Sequence, residues 1–207
     1  MRMIAALFNF VRLTRQLYNI DESHAISHSM DVFLKSDEIL KKELVNYPEL
    51  SSQTRIIHAS AILHDTVDQK YMNKSDGMKR VRYFLMDKLT FTELDIVSEI
   101  ISKMSYSYVK VNGYPELDKY QMAYHIVREA DLLAAYDIKR SIIFDMEVNK
   151  SDFSKAHENS EKLFENRMGK YLEEGLFITE TGKALAKQYE EDCKRTMAHL
   201  NGIIDQP

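Results

Sequence analysis

Ile56-Ile57-His58-Ala59-Ser60-Ala61-Ile62-Leu63-His64-Asp65 is the stretch that decides the fold. Its small and aliphatic side chains fall on most faces of a helix, so it reads as a central, largely buried one. The helix is expected to start near Ser52 or Thr54. Beyond His64-Asp65 the chain turns polar, with Thr66, Asp68, Gln69 and Lys70. A buried helix that closes on a carboxylate must find a partner for it, because an ionised group is costly to strip of water. Adjacent helical residues point roughly 100° apart, so both side chains reach one ion only near a helix end. From this pair alone, an aspartate held by a lysine or by backbone amides explains the charge at least as well as a metal.

Helical signals continue on both sides. Ile4, Leu7, Phe8 and Val11 recur at helical spacing and predict a packing helix over 3–18. Met3 to Val11 also imitates a leader peptide weakly, but Arg12 and Arg15 follow where a small-residue cleavage site would stand. Asp21 or Ser23 can cap a second helix that runs to about Val45, where Asn46-Tyr47-Pro48 breaks it. Asp68 to Lys74 reads as a loop, and Ser75 as the cap of the next helix. Thr90-Phe91-Thr92-Glu93 fits a capping box for a helix to about Met104. Ser105 to Leu117 reads as a loop around Asn112-Gly113-Tyr114-Pro115, with Val109-Lys110-Val111 as a short extended piece. The following helix carries Val127, Ala130, Asp131 and Leu133, with a bend or break expected near Asp137. Two more helices are expected over 155–173 and 181–200, joined through Gly175.

The expectation is an all-α, single-domain helical bundle over 1–207. Its core spans about 21–145, with C-terminal helices at about 153–202 packed on it. Six glycines and three prolines leave turn chemistry sparse, which favours long helices over many strands. The lone Cys193 excludes an internal disulfide framework and suits a reducing compartment. The net charge of -4 is mixed along the chain without a basic block, so a nucleic-acid polymer is not expected as partner. No run is long enough to span a bilayer, so no membrane partner is expected and a cytoplasmic location is. The oligomeric state leaves no trace in these residues.

His24 and His28 lie four residues apart on one helix face. Taken alone, such a pair reads better as polar surface or satisfied core than as a metal site. Asp131 shifts the balance, because it too lies in a mostly apolar helix, Val127 to Ala135, where Glu129 can point outward. Two acids in two apolar helices need partners, and one divalent ion neutralises Asp65 and Asp131 together.

The pattern resembles the HD-domain metal-dependent phosphohydrolases. His24-Ala25-Ile26-Ser27-His28-Ser29-Met30-Asp31-Val32 resembles the first metal-histidine helix of that family. Ala59 to Asp65 resembles the central helix, and Arg128 to Ala135 the helix that brings the last aspartate. Ile100 to Ser107, Glu161-Lys162-Leu163 and Thr179 to Ala186 are fainter echoes of a small, single-domain, bacterial-type branch. The likeness spans about residues 21 to 200. It departs at Glu129, where the family usually has Asp, and at His157, which does not align with the family's histidine near the tail lysine.

The resemblance implies His28, His64, Asp65 and Asp131 as ligands of one divalent ion, with Mn, Mg, Co, Ni and Zn all compatible. It gives Asp68 the place of a carboxylate near the nucleophilic water. Lys70 becomes a catalytic phosphate holder, and His24, Lys70 and Arg140 line the substrate pocket. An ordinary surface or bridging role explains Lys70 and Arg140 about as well. The implied activity is hydrolysis of a phosphate ester or anhydride in a small phosphorylated molecule, foremost a nucleotide. A non-catalytic metal- and nucleotide-binding module is the first alternative. A di-iron HD oxygenase is the second, but that chemistry needs added histidines, and only His125 lies between Asp65 and Asp131.

Overall fold

Thr54–Leu63 is a helix at the centre of the molecule, and Ile57, Ala59, Ala61, Ile62 and Leu63 on it are wholly buried. The computed structural model describes residues 3–21 and 26–204. Among these, ten α-helices carry the fold and no strand occurs. They are α1 (Met3–Tyr18), α2 (Ile26–Glu43), α3 (Thr54–Leu63), α4 (Lys74–Leu85) and α5 (Phe91–Lys103). Then follow α6 (Tyr106–Asn112), α7 (Gln121–Ala134), α8 (Ile138–Val148), α9 (Phe153–Asn166) and α10 (Glu180–Ile204). Helix α3 packs against α1, α2, α5 and α7, while α2 runs along α7. The all-α class and the central place of α3 are therefore as the sequence implies. No helix among the described residues is long and apolar enough to cross a membrane.

Local chemistry explains where the helices begin. The capping box at Thr90 forms as expected, with the Thr90 amide donating to Glu93 Oε2 at 2.8 Å and the Glu93 amide to Thr90 Oγ1 at 3.3 Å. Asp137 caps α8 through the Lys139 amide at 3.2 Å, which is the break anticipated there. Ser75 is not a cap. Asn73 holds that position and accepts from the Ser75 and Asp76 amides at 3.0 and 3.2 Å. Ser23, the other candidate cap, lies outside the described residues.

Three segments differ from expectation. The helix expected over 155–173 ends at Asn166, and a 3₁₀ turn over Met168–Lys170 follows it. Val109-Lys110-Val111 is helical, not extended, because Ser105 caps α6 through the Tyr108 amide at 3.2 Å. Gly113, at φ 73°, then ends α6 in a conformation that suits a residue without a side chain. Glu129 does not point outward. It is fully buried, and its carboxylate accepts from the Ile178 amide at 2.6 Å and the Thr179 hydroxyl at 2.6 Å. Arg128 is buried beside it and donates to the Leu176 carbonyl. Glu43 of α2 accepts from the Thr181 amide at 2.9 Å. Together these groups fasten the start of α10 to α7 and α2.

Candidate metal centre

Three helices deliver the expected ligands to one point. His28 comes from the first turn of α2 and is 4% exposed. Helix α3 ends at Leu63, and His64-Asp65 opens a 3₁₀ turn over His64–Val67. The adjacent pair thus sits at a helix end, where both side chains can face one place. Asp131 comes from the last turn of α7.

The donor atoms crowd together. His28 Nε2 lies 3.0 Å from His64 Nε2, 3.3 Å from Asp65 Oδ2 and 3.3 Å from Asp131 Oδ1. His64 Nε2 lies 3.3 Å from Asp65 Oδ1 and 3.7 Å from Asp131 Oδ1. Ligand bonds of about 2.0–2.2 Å place neighbouring donors roughly 3–3.5 Å apart around an ion. His28, His64 and Asp65 meet the spacing needed to hold a cation, and Asp131 Oδ1 stands beside both imidazoles at 3.3 and 3.7 Å.

The protonation chemistry agrees. His64 Nδ1 lies 2.8 Å from the Ala61 carbonyl, which can only accept, so Nδ1 carries a proton and Nε2 is the ring nitrogen turned to the cluster. Burial opposes a charge on His28, but Asp131 and Asp65 outweigh it and raise its pKa. Burial likewise pushes the Asp131 carboxyl up, and His28 with His64 brings it well below the usual carboxylate range. These are two acids and two imidazoles in need of positive charge, supplied by a proton or by an ion. An Asp37–His58 hydrogen bond of 3.0 Å braces α2 against α3.

A cavity of about 620 Å³ opens from His64, Asp65 and Asp131. Asp68, Lys70 and Arg140 all line it. Asp68 accepts from the Lys70 amide at 2.8 Å, and Lys70 Nζ lies 4.0 Å from Asp68 and 5.1 Å from the Phe144 ring centre. Arg140 is near enough to His28 to oppose its protonation. His24 lies outside the described residues.

Two further cations, Lys74 and Arg167, line the same cavity and were not singled out by sequence reasoning. Arg167 stacks on the Tyr106 ring at 4.2 Å. No local signal marks it, because its place depends on how α9 folds back over α8. The other histidines stand elsewhere. His125 lies 3.2 Å from Gln121 and 5.0 Å from the Tyr114 ring, and His157 lies 3.8 Å from Glu161. Burial pushes the Cys193 thiol up to about 12, so it is not a ready nucleophile.

No protein-family model matches the chain, and no curated protein matches it in sequence. A protein from Lactobacillus plantarum, solved by crystallography as a structural-genomics target, is similar in fold. The two share 18% identity and a TM-score of 0.71 over 96% of this chain and 95% of that one. The likeness establishes a shared all-helical architecture.

Proposed function

We propose that the chain is a metal-dependent phosphohydrolase that cleaves a phosphate ester or anhydride, foremost in a nucleotide. The observation that carries the reading is the meeting of His28, His64, Asp65 and Asp131, from three helices, at one wall of a cation-lined cavity. These four residues would hold one divalent ion, of the Mn, Mg, Co, Ni or Zn type. When bound, that ion supplies charge for the phosphoryl oxygens and lowers the pKa of water.

The chain's own residues supply the rest. Asp68 accepts from the Lys70 amide at Oδ1 and has Lys70 Nζ 4.0 Å from Oδ2, and this carboxylate orients the attacking water and takes its proton. The water oxygen bonds to phosphorus as the bond to the leaving oxygen breaks. Lys70 and Arg140 hold the phosphoryl oxygens, and Arg167 and Lys74 extend the positive lining. A cavity of this volume suits a nucleotide-sized ligand. His125, the one histidine between Asp65 and Asp131, lies against Gln121 and the Tyr114 ring and not in the cluster, which favours this reading over a di-iron oxygenase.

The test is a screen of nucleoside mono-, di- and triphosphates with added Mn²⁺, read for phosphate and for pyrophosphate. The expected result is release of one of them by the intact protein and none by His64→Ala or Asp65→Ala. Wild-type turnover in either variant refutes the assignment. Tight nucleotide binding without release would identify a binding module instead.

A further inference from the structure

Part of the cavity wall is a polar cluster that the phosphate chemistry does not use. Asp145 of α8 is 7% exposed and lines the cavity, as do Asn149 and Asn159. Asn149 Nδ2 donates to Asp145 Oδ1 at 2.5 Å, and Asn159 Nδ2 donates to Asp145 Oδ2 at 3.0 Å. The Asp145 backbone carbonyl also accepts the Asn149 amide at 3.1 Å. A carboxylate accepts and does not donate, so it sets the orientation of both amides. Their nitrogens turn toward Asp145, and their carbonyl oxygens are left as acceptors. Asn149 holds the carboxyl of Asp145 below the usual range, aided by Ser151 and Asn159 against burial, so the anchor stays ionised at neutral pH.

We infer that Asn149 and Asn159, oriented by Asp145, recognise the organic part of the substrate and select a nucleobase that carries an exocyclic amino group. The inference rests on the nucleotide reading above. Two oriented acceptors require donors, and an amino group offers two N–H bonds on one nitrogen. Uracil and thymine present carbonyl oxygens instead of that amino group, which would leave acceptor facing acceptor. The same cavity is lined by the apolar Leu163, Ile101 and Leu132, which give a flat ring surface to lie on. Asn159 is half-buried and Asn149 exposed, so both can be truncated without opening the core. Asn159 additionally ties α9 to α8, and that tie is the structural role from which selectivity must be separated.

The experiment compares kcat/KM for adenine, cytosine and uracil nucleoside triphosphates in the intact protein, Asn159→Ala and Asn149→Ala. p-Nitrophenyl phosphate serves as a substrate without a base. The expected wild-type preference for amino-bearing bases over uracil is about tenfold or more. Each variant reduces that ratio, and the p-nitrophenyl phosphate rate stays within about twofold. Equal rates across the bases, or a preference that survives both variants, overturns the inference. A second arm measures binding of adenosine and uridine monophosphates without metal, by calorimetry. Preference for the adenine nucleotide, lost in Asn149→Ala, supports the subsite even if nothing is hydrolysed, in which case hydrolysis alone fails. Equal affinity for both, including none for either, overturns the subsite and leaves hydrolysis standing on its own assay.

Discussion

His64 donates from Nδ1 to the carbonyl oxygen of Ala61 at 2.8 Å, in the last turn of α3. The contact fixes the ring, so Nε2 is the nitrogen that meets His28 and the two carboxylates and would bind an ion there. His64→Ala should therefore empty the site instead of weakening it. Metal content after loading with Mn²⁺ is expected to fall from about one ion per chain to near zero, with turnover down about 100-fold or more. Elemental analysis beside a circular dichroism spectrum checks this. Retained metal in a folded variant would mean that the ligand set is wrong.

Arg140 and Lys70 face the same cavity but stand differently. Lys70 is 55% exposed at its side chain and rests near Phe144 and Asp68, whereas Arg140 is close enough for its charge to bear on His28. An exposed, screened cation contributes less than one held near the reacting charge. Arg140→Ala should then lower kcat/KM by about 10- to 100-fold, and Lys70→Ala by less. Steady-state kinetics at two salt concentrations measure both losses. A larger effect at Lys70 would reverse their assigned places.

Much of this arrangement is readable before folding is considered. The helical period, the capping box at Thr90 and the break at Asp137 are local, and local chemistry governs them. His64-Asp65 and Asp131 stand out because acids in apolar helices need partners. Glu129 departs from its expected outward place for a physical reason. It lies roughly 200° around the helix from Asp131, which would mean solvent on a surface helix. Helix α7 is instead covered on its far side by α10, so the opposite face is core as well. Arg167 and the Asp145 cluster meet the cavity only through the folding of α9 onto α8, which no short window of sequence contains.

Asp37 gives the fold a defined acid sensitivity. Burial raises its carboxyl, but Lys41 and His58 outweigh this and hold it below the ordinary 3.8. A depressed folded value means that the unfolded chain binds the extra proton, so stability rises with pH across this window. The contribution is complete above about 3.8 and is lost as the pH falls through the folded value. Asp37→Asn should destabilise the protein at pH 6 and lose most of that effect near pH 2. Urea denaturation of both proteins at the two pH values checks the sign. An equal difference at both would remove Asp37 as the titrating group.

Gly182 and Glu129 test how the tail is fastened. A Cβ at Gly182 would strike the Glu129 carboxylate and come within 2.7 Å of Thr179 Oγ1. The carboxylate cannot simply swing away, because the Ile178 and Thr179 amides and the Thr179 hydroxyl bind it in a fully buried place. Gly182→Ala should cost about 1–3 kcal/mol through overpacking. Glu129→Ala should cost about 3–5 kcal/mol, because it leaves the buried Ile178 and Thr179 donors without an acceptor and Arg128 without its ion-pair partner. The double variant removes the group that the new methyl strikes, so its loss should fall short of the two single losses added together. Chemical denaturation of the four proteins measures the shortfall. Strict additivity would show that the methyl and the carboxylate never meet, and that something other than Glu129 keeps this position small.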